Sequence, residues 1–205
     1  MVTPSWAILL HKASDKRIMK ILRLQMHTST DGFVAGPNGE NDWMTWEMGE
    51  KVFARESGLI DLSDTILMGR KMVKEFVDHW ENVFDNEPDN PQYAFAQKMV
   101  ELPKIVFSKT VNSLPGRNLR VENGDLVEKV SELKNQDGKG LLVYGGAGFV
   151  SSLIGNGLID EFNLFGHPTA IGTGMRIFPG KTPLKLRNSQ AFESGIVLNT
   201  YEPDA

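Results

Sequence analysis

Three short segments of the sequence contain the residue types that bind phosphate groups. The first is Gly145-Gly146-Ala147-Gly148, which follows an apolar run and precedes a helical pattern. Small residues there would let a pyrophosphate reach the free N–H groups of the following helix. The second is Gly69-Arg70-Lys71, which places two cations after another apolar run. The third is Ser108-Lys109-Thr110, whose hydroxyl and ammonium donors suit an adenosine 2′-phosphate.

The phosphate interpretation depends on these segments occurring together. A glycine turn between a strand and a helix is common, and for either turn alone the favoured interpretation is a structural turn, with Arg70 and Lys71 as solvated surface residues. Ligands of open α/β sheets bind at the carboxyl ends of the strands, where all three segments are predicted to lie. Their joint occurrence therefore favours a shared ligand that carries phosphate.

Several acidic and aromatic residues near these turns could act on such a ligand's reaction partner. The candidate proton donors are Asp31, Asp42, Glu47 and Glu50. Asp31 follows the end of the first predicted strand, where it would either anchor a substrate or bond the backbone of its own Asp-Gly turn, and neither interpretation is favoured. Trp43 and Trp46 could stack on a heteroaromatic ring, but core packing is the commoner role of such residues.

Composition narrows the function classes. The chain has 205 residues, a net charge of −4 and no cysteine, which predicts one folded domain and disfavours a nucleic-acid surface. The lack of cysteine excludes disulfides and thiolate metal sites, and the four scattered histidines predict no metal centre. The apolar stretch Trp6 to Leu10 is too short for a signal-peptide core, so we expect a cytoplasmic protein without a membrane partner.

Hydrophobic periodicity predicts strands that alternate with helices. The predicted strands are 21–28, 65–68, 104–107 and 141–144. One helix is predicted over 46–56 with Thr45 as its N-cap, and four more are predicted to begin at Met72, at Asn90-Pro91, at Asp125 and near Phe149. In the helix from Asp125, the side chains of Leu126, Val127, Val130 and Leu133 are expected to share the buried face. The chain from Asp160 is expected to form strands only. We expect residues 1–18 to be an N-terminal extension and residues 19–205 one α/β domain, with a mainly parallel central sheet and an antiparallel C-terminal hairpin.

The motifs together resemble the dihydrofolate reductase-like superfamily, and most closely the C-terminal reductase domain of the bifunctional riboflavin-biosynthesis deaminase-reductase. The resemblance runs from Met19 to about Tyr201, and its matching segments are Ser29-Thr30-Asp31-Gly32, Ile66-Leu67-Met68-Gly69-Arg70-Lys71, Lys104-Ile105-Val106-Phe107-Ser108, Val143-Tyr144-Gly145-Gly146-Ala147-Gly148 and Asp160-Glu161. It implies a three-layer sandwich and a homodimer. The zinc-binding deaminase half of that enzyme has no counterpart here, so the resemblance supports reduction alone.

The resemblance also implies NADPH as the cofactor and assigns residues to it. Its candidate contacts are Ala35, Gly69, Arg70, Lys71, Ser108, Lys109, Gly145, Gly146, Ala147, Gly148 and Phe149. Dihydrofolate reductases carry a carboxylate on the first helix a few residues after a tryptophan, and Glu47 follows Trp43 at a similar distance. Asp31 and Glu47 are therefore the candidate catalytic residues, and Thr28, Trp43 and Arg176 are the candidate substrate contacts.

The expected function is the NADPH-dependent reduction of a small heterocycle. The first candidate substrate is 5-amino-6-(5-phosphoribosylamino)uracil and the second is dihydrofolate. The alternative is a protein that binds NADPH without turnover, as a sensor or store. Substrate-stimulated oxidation of NADPH would separate these two hypotheses.

Overall fold

A computed structural model describes residues 19–204 of the chain. It contains eight strands: β1 Ile21–Thr28, β2 Thr65–Gly69, β3 Lys104–Phe107, β4 Leu119–Glu122, β5 Gly140–Gly145, β6 Glu161–Gly166, β7 Leu184–Ala191 and β8 Val197–Pro203. Five α-helices connect or precede them: α1 Glu50–Asp61, α2 Val73–Asn86, α3 Tyr93–Glu101, α4 Leu126–Lys134 and α5 Ala147–Gly155. The predicted N-terminal extension, residues 1–18, lies outside the described residues.

All eight strands form one sheet in the order β4-β3-β2-β5-β1-β6-β8-β7. The strands from β4 to β6 in this order are parallel, and β8 pairs antiparallel with β6 and with β7. The predicted mainly parallel sheet with an antiparallel C-terminal hairpin is confirmed. Because the parallel strands point the same way, the loops after β1, β2, β3 and β5 meet at one edge of the sheet.

Helices cover both faces of the sheet, which confirms the three-layer sandwich. On one face, α4 and α5 pack their buried side chains on strand residues such as Leu24 and Val143. On the other face, α1, α2 and α3 pack on residues such as Met68 and Leu142. β1 serves both layers, since Leu22, Leu24 and Met26 alternate with Arg23, Gln25 and His27 as the period of a strand requires. No helix of residues 19–204 is both long and apolar enough to cross a membrane.

The first helix differs most from its prediction, because it begins at Glu50 instead of Trp46. Gly49 has a φ of 83°, which ends the preceding loop in a non-helical conformation. Thr45 is not the N-cap, since Gly49 occupies that position; the Thr45 N–H instead donates to His167 Nδ1. Trp46 lies on the loop and is 60% exposed. The segment 46–49 thus belongs to the loop that follows β1.

Three smaller differences concern helix ends and one edge strand. Helix α3 begins at Tyr93, because Asn90 Oδ1 accepts the N–H of Gln92 and closes a turn before the helix. Asp125 does cap α4, accepting from two backbone N–H groups, but Val127 is exposed and does not share the buried face. The sequence prediction missed β4, a short and partly exposed edge strand.

Candidate active site

The loops at the carboxyl edge of the sheet surround a cavity of 1180 Å³. That volume is ample for a dinucleotide together with a small ring compound, since drug-sized ligands occupy pockets of about 300–1,000 Å³. Every predicted cofactor residue lines it: Ala35, Gly69, Arg70, Lys71, Ser108, Lys109, Gly145, Gly146, Ala147, Gly148 and Phe149. The adjacent positions of β3, β2 and β5 in the sheet explain why three segments distant in sequence meet here.

The turn from β5 into α5 presents backbone donors to this cavity. Gly145 and Gly146 have φ angles of 142° and 49°, a region that favours glycine. The first helical hydrogen bond of α5 runs from the Val150 N–H to the Gly146 carbonyl, at 3.0 Å. The N–H groups of residues 147–149 therefore have no helical acceptor, and the dipole of α5 adds partial positive charge at the same place. This is an anion-binding geometry.

Close packing joins that turn to the end of β2. A Cβ added at Gly69 would lie 2.7 Å from the Cβ of Phe149, which is closer than real Cβ contacts allow. Glycine at position 69 thus lets the two turns approach each other. On the other side, the ring of Phe149 stacks on Phe107 of β3 with 5.2 Å between centroids. The three predicted phosphate segments form one continuous wall.

The cations of this wall are available to a ligand. Arg70 and Lys71 are exposed, and neither forms an ion pair with any residue in the described part of the chain. The Ser108 hydroxyl oxygen accepts the N–H groups of Thr110 and Val111 and lies 3.4 Å from the Thr110 hydroxyl, which together fix the loop. Lys109 lies in this same ordered loop.

The other half of the cavity is aromatic, with a few polar groups. Tyr144, Phe76 and Trp80 form successive ring contacts, with 5.3 and 6.3 Å between centroids. The Gln25 amide donates to the Tyr144 hydroxyl at 3.0 Å, while its own carbonyl oxygen is buried and has no hydrogen-bond partner among residues 19–204. Burial, and then the charge of Glu56, raises the pKa of Tyr144 well above its usual value, so that its hydroxyl stays a donor. This pattern suits a planar ring with polar atoms along one edge.

Glu56 is the buried carboxylate of the cavity. It is 3% exposed and lines the cavity from α1. Its Oε1 lies 2.8 Å from His27 Nε2, and His27 Nδ1 lies 2.8 Å from His167 Nε2. The chain of contacts ends at His167 Nδ1, which accepts the Thr45 N–H at 2.9 Å. Burial and, secondarily, His27 lower the pKa of His167 to about 4, so His167 is neutral at pH 7.

The two carboxylates predicted as catalytic do not reach the cavity. Asp31 accepts hydrogen bonds from the Ser29 hydroxyl at 2.6 Å and from the N–H groups of Ile171 and Gly172. The Ser29 hydrogen bond is the largest influence holding the pKa of Asp31 below its usual value. Asp31 thus ties two loops together. Glu47 is exposed, precedes α1 and is not among the cavity-lining residues, so its predicted place on the first helix was wrong.

The three predicted substrate contacts also lie away from the cavity wall. Thr28 ends β1, and its carbonyl accepts the N–H of His167. Trp43 is buried, donates its indole N–H to the Glu40 carbonyl and packs edge-on against His167, which is the core-packing alternative. The Arg176 guanidinium stacks on the Phe33 ring, 4.1 Å from its centroid. None of the three is among the residues that line the cavity.

Comparison with known families agrees with this architecture. The model of the RibD C-terminal domain matches residues 20–198. The chain belongs to the RibD C-terminal domain family. This RibD-type chain is 34% identical to the uncharacterised protein YyaP of Bacillus subtilis (strain 168), over 87% of this chain and 92% of that protein. A second uncharacterised protein of that organism, YwjB, is 24% identical over 86% of this chain and 94% of its own length.

Solved structures show the same RibD-type fold. A Shewanella sp. PV-4 protein named for riboflavin biosynthesis aligns with a TM-score of 0.68 and 21% identity, over 91% of this chain and all of that one. The Thermotoga maritima diaminohydroxyphosphoribosylaminopyrimidine deaminase/5-amino-6-(5-phosphoribosylamino)uracil reductase aligns with a TM-score of 0.64 and 16% identity, over 91% of this chain and 57% of that one. The predicted resemblance to the riboflavin-pathway reductase domain is confirmed at the level of family and fold.

Sequence reasoning missed Glu56, His27 and His167 as site residues. A signal for Glu56 is present, since Val52, Glu56 and Ile60 recur every four residues and all three are buried. A lone carboxylate in an apolar helical stripe requires a partner. No comparable signal links His27 to His167, because 139 residues separate them in the chain and only the pairing of β1 with β6 brings them together.

Proposed function

We propose that this protein is an NADPH-dependent reductase of a small planar heterocycle. The observation that carries the proposal is the convergence of three phosphate-type segments and one buried carboxylate on a single cavity. Membership of the RibD C-terminal domain family supports an oxidoreductase that uses a nicotinamide cofactor. The same family and fold support a pyrimidine-type substrate.

The residues on the phosphate side fit a dinucleotide that carries a 2′-phosphate. The α5 N-terminus would hold the pyrophosphate through the N–H groups of residues 147–149. Arg70 and Lys71 add two cations that have no ion-pair partner among residues 19–204, and Ser108 with Lys109 adds a hydroxyl and an ammonium group. These cations favour NADPH over NADH. When bound, the nicotinamide ring would supply the hydride.

The aromatic side of the cavity fits the planar heterocycle of the substrate. Phe76, Trp80 and Trp46 provide flat apolar surface, and the buried Gln25 oxygen needs a donor from a ligand. Tyr144 can donate its hydroxyl proton to a ring carbonyl or ring nitrogen. Pyrimidines and pterins carry both hydrogen-bond donors and acceptors along one edge of the ring. 5-Amino-6-(5-phosphoribosylamino)uracil therefore stays the first candidate substrate and dihydrofolate the second.

Glu56 is the proton source in this proposal. It is the buried carboxylate that lines the cavity, and Oε1 is held by His27 while no hydrogen bond within residues 19–204 reaches its second oxygen. A protonated Glu56 would donate to the nitrogen of the substrate's C=N bond, while the carbon of that bond receives the hydride. General acids of this kind contribute about 10²- to 10⁴-fold to the rate.

The test is NADPH consumption by the full chain, followed by absorbance with each candidate substrate. We expect Glu56→Gln to lower kcat about a hundredfold or more with NADPH affinity retained, and Glu47→Gln to leave kcat within about twofold. Loss of activity in the Glu47 variant alone would reverse the assignment. NADPH binding without oxidation by any pyrimidine or pterin probe would favour the binding-only alternative, a sensor or store, over the reductase.

A further inference from the structure

The hydrogen-bond chain from Thr45 to Glu56 has a defined direction. A backbone N–H can only donate, so His167 Nδ1 must be an unprotonated acceptor toward Thr45. A neutral imidazole with a bare Nδ1 carries its proton on Nε2, and His167 Nε2 must then donate to His27 Nδ1. By the same reasoning, His27 Nε2 donates to Glu56 Oε1. One backbone group thus determines the tautomers of two histidines.

The arrangement is a linear chain and not a convergent cluster. Each histidine uses both ring nitrogens, one as donor and one as acceptor. Within residues 19–204, no group of three His, Asp or Glu side chains is arranged to hold a metal ion. His167 is 1% exposed, and the ring stack of His27 on Phe165 and the edge contact of Trp43 on His167 fix both imidazoles in place.

We propose that His167 and His27 form a proton relay that returns a proton to Glu56, and that the hydrogen bond from the Thr45 N–H controls this proton transfer. This inference rests on the proposed reductase function, in which Glu56 gives its proton to the substrate at each turnover. Thr45 belongs to the loop between β1 and α1, whose residues Asn38, Met44 and Trp46 also line the cavity. The position of that loop is thereby coupled to the protonation of the acid.

The relay step balances in protons and bonds. When the loop withdraws the Thr45 N–H, His167 takes a proton at Nδ1 from a hydronium ion of the solvent, which leaves as water, and releases its Nε2 proton to His27 Nδ1. His27 in turn releases its Nε2 proton to Glu56 Oε1. One proton enters, the Glu56 carboxylate becomes a carboxylic acid, and both histidines change from the Nε2-H to the Nδ1-H tautomer. With the loop seated, the Thr45 N–H opposes this second state.

The ionisable groups that meet at this chain come from four elements. They are Glu56 from α1, His27 from β1, His167 after β6 and Tyr144 from β5. Tyr144 remains protonated because burial raises its pKa, so it does not compete for the proton. The relay thus involves two neutral imidazoles and one carboxyl group.

The first test reads the tautomers directly in the full chain without cofactor. Long-range ¹H–¹⁵N spectra of histidine-labelled protein at pH 7 should show the neutral Nε2-H form for both His27 and His167. A neutral Nδ1-H form, or a doubly protonated ring, at either residue would overturn the inference. Because this measurement requires no NADPH, its failure is distinguishable from a failure of the reductase proposal.

A matched pair of variants tests the control by Thr45. Thr45→Pro removes the N–H, whereas Thr45→Ala keeps it and removes only the side-chain hydroxyl. We expect His167 to show mixed tautomers in the proline variant and the Nε2-H form in the alanine variant. An unchanged Nε2-H form in a folded Thr45→Pro protein would refute the control step. His167→Gln cannot pass a proton, so kcat should fall at least about tenfold with KM within about twofold; an unchanged kcat would refute the relay.

Discussion

Replacing Gly148 by aspartate separates cofactor binding from folding. A Cβ added at Gly148 meets no atom of the described residues 19–204 within 4 Å, so this part of the fold has room for a side chain there. A carboxylate in the first turn of a helix favours the helix by about 0.3–1 kcal/mol. The same carboxylate would face the pyrophosphate proposed to bind at the α5 N-terminus. Two unit charges roughly 5 Å apart repel by about 3 kcal/mol at an effective dielectric constant of about 20.

We therefore expect Gly148→Asp to keep or raise the free energy of unfolding and to weaken NADPH binding about a hundredfold. Urea unfolding without ligand measures the first quantity, and calorimetric titration with NADPH measures the second. Gly148→Asn is the matched control, because it adds a side chain of the same shape without the charge. Equal affinities of the Asp and Asn variants, both at the wild-type value, would refute the placement of the phosphates at this turn.

Two further predictions concern the cation wall and the buried histidine. Arg70→Ala should weaken NADPH binding by about 1.5–3 kcal/mol through loss of a charge-assisted contact. Lys74→Ala removes an ion pair with Asp78 outside the cavity and should leave NADPH binding unchanged. Equal NADPH titration curves for the two variants would contradict this. Because the pKa of His167 falls from 6.5 in the unfolded chain to about 4 in the folded one, the unfolded chain binds the extra proton between these pH values. The free energy of unfolding should thus fall by up to about 3 kcal/mol from pH 6.5 to 4, and His167→Gln should lose this pH dependence in urea titrations.

The meeting of the three phosphate-type segments at one cavity could be predicted from the sequence because its signals are local. Each segment is a short run after a strand, such as Gly69-Arg70-Lys71, and the parallel topology then requires these runs to share one edge. Alternation along β1 likewise predicted which side chains face each layer. The homodimer implied by the family resemblance stays a prediction that a solution mass would test.

The buried chain of Glu56, His27 and His167 could not be predicted because it depends on long-range contacts and on one loop. Gly49 delays the first helix, which removes Glu47 from it and makes Glu56 the inward carboxylate. His27 and His167 meet only through strand pairing across the sheet. Asp31 resembled a catalytic carboxylate by its position after β1, yet its carboxylate accepts hydrogen bonds from the N–H groups of a loop distant in sequence. Local patterns do not encode such partners.

The most direct test of the reductase proposal is the effect of dinucleotides on the unfolding of the full chain. Ligand at a hundred times its dissociation constant stabilises the folded state by about 2.7 kcal/mol. We expect NADPH to raise Tm with one site per chain and to do so at lower concentration than NADH, because Arg70, Lys71 and Lys109 line the cavity. An unchanged Tm with NADPH at about 1 mM would contradict the proposed cofactor and, with it, the reductase function.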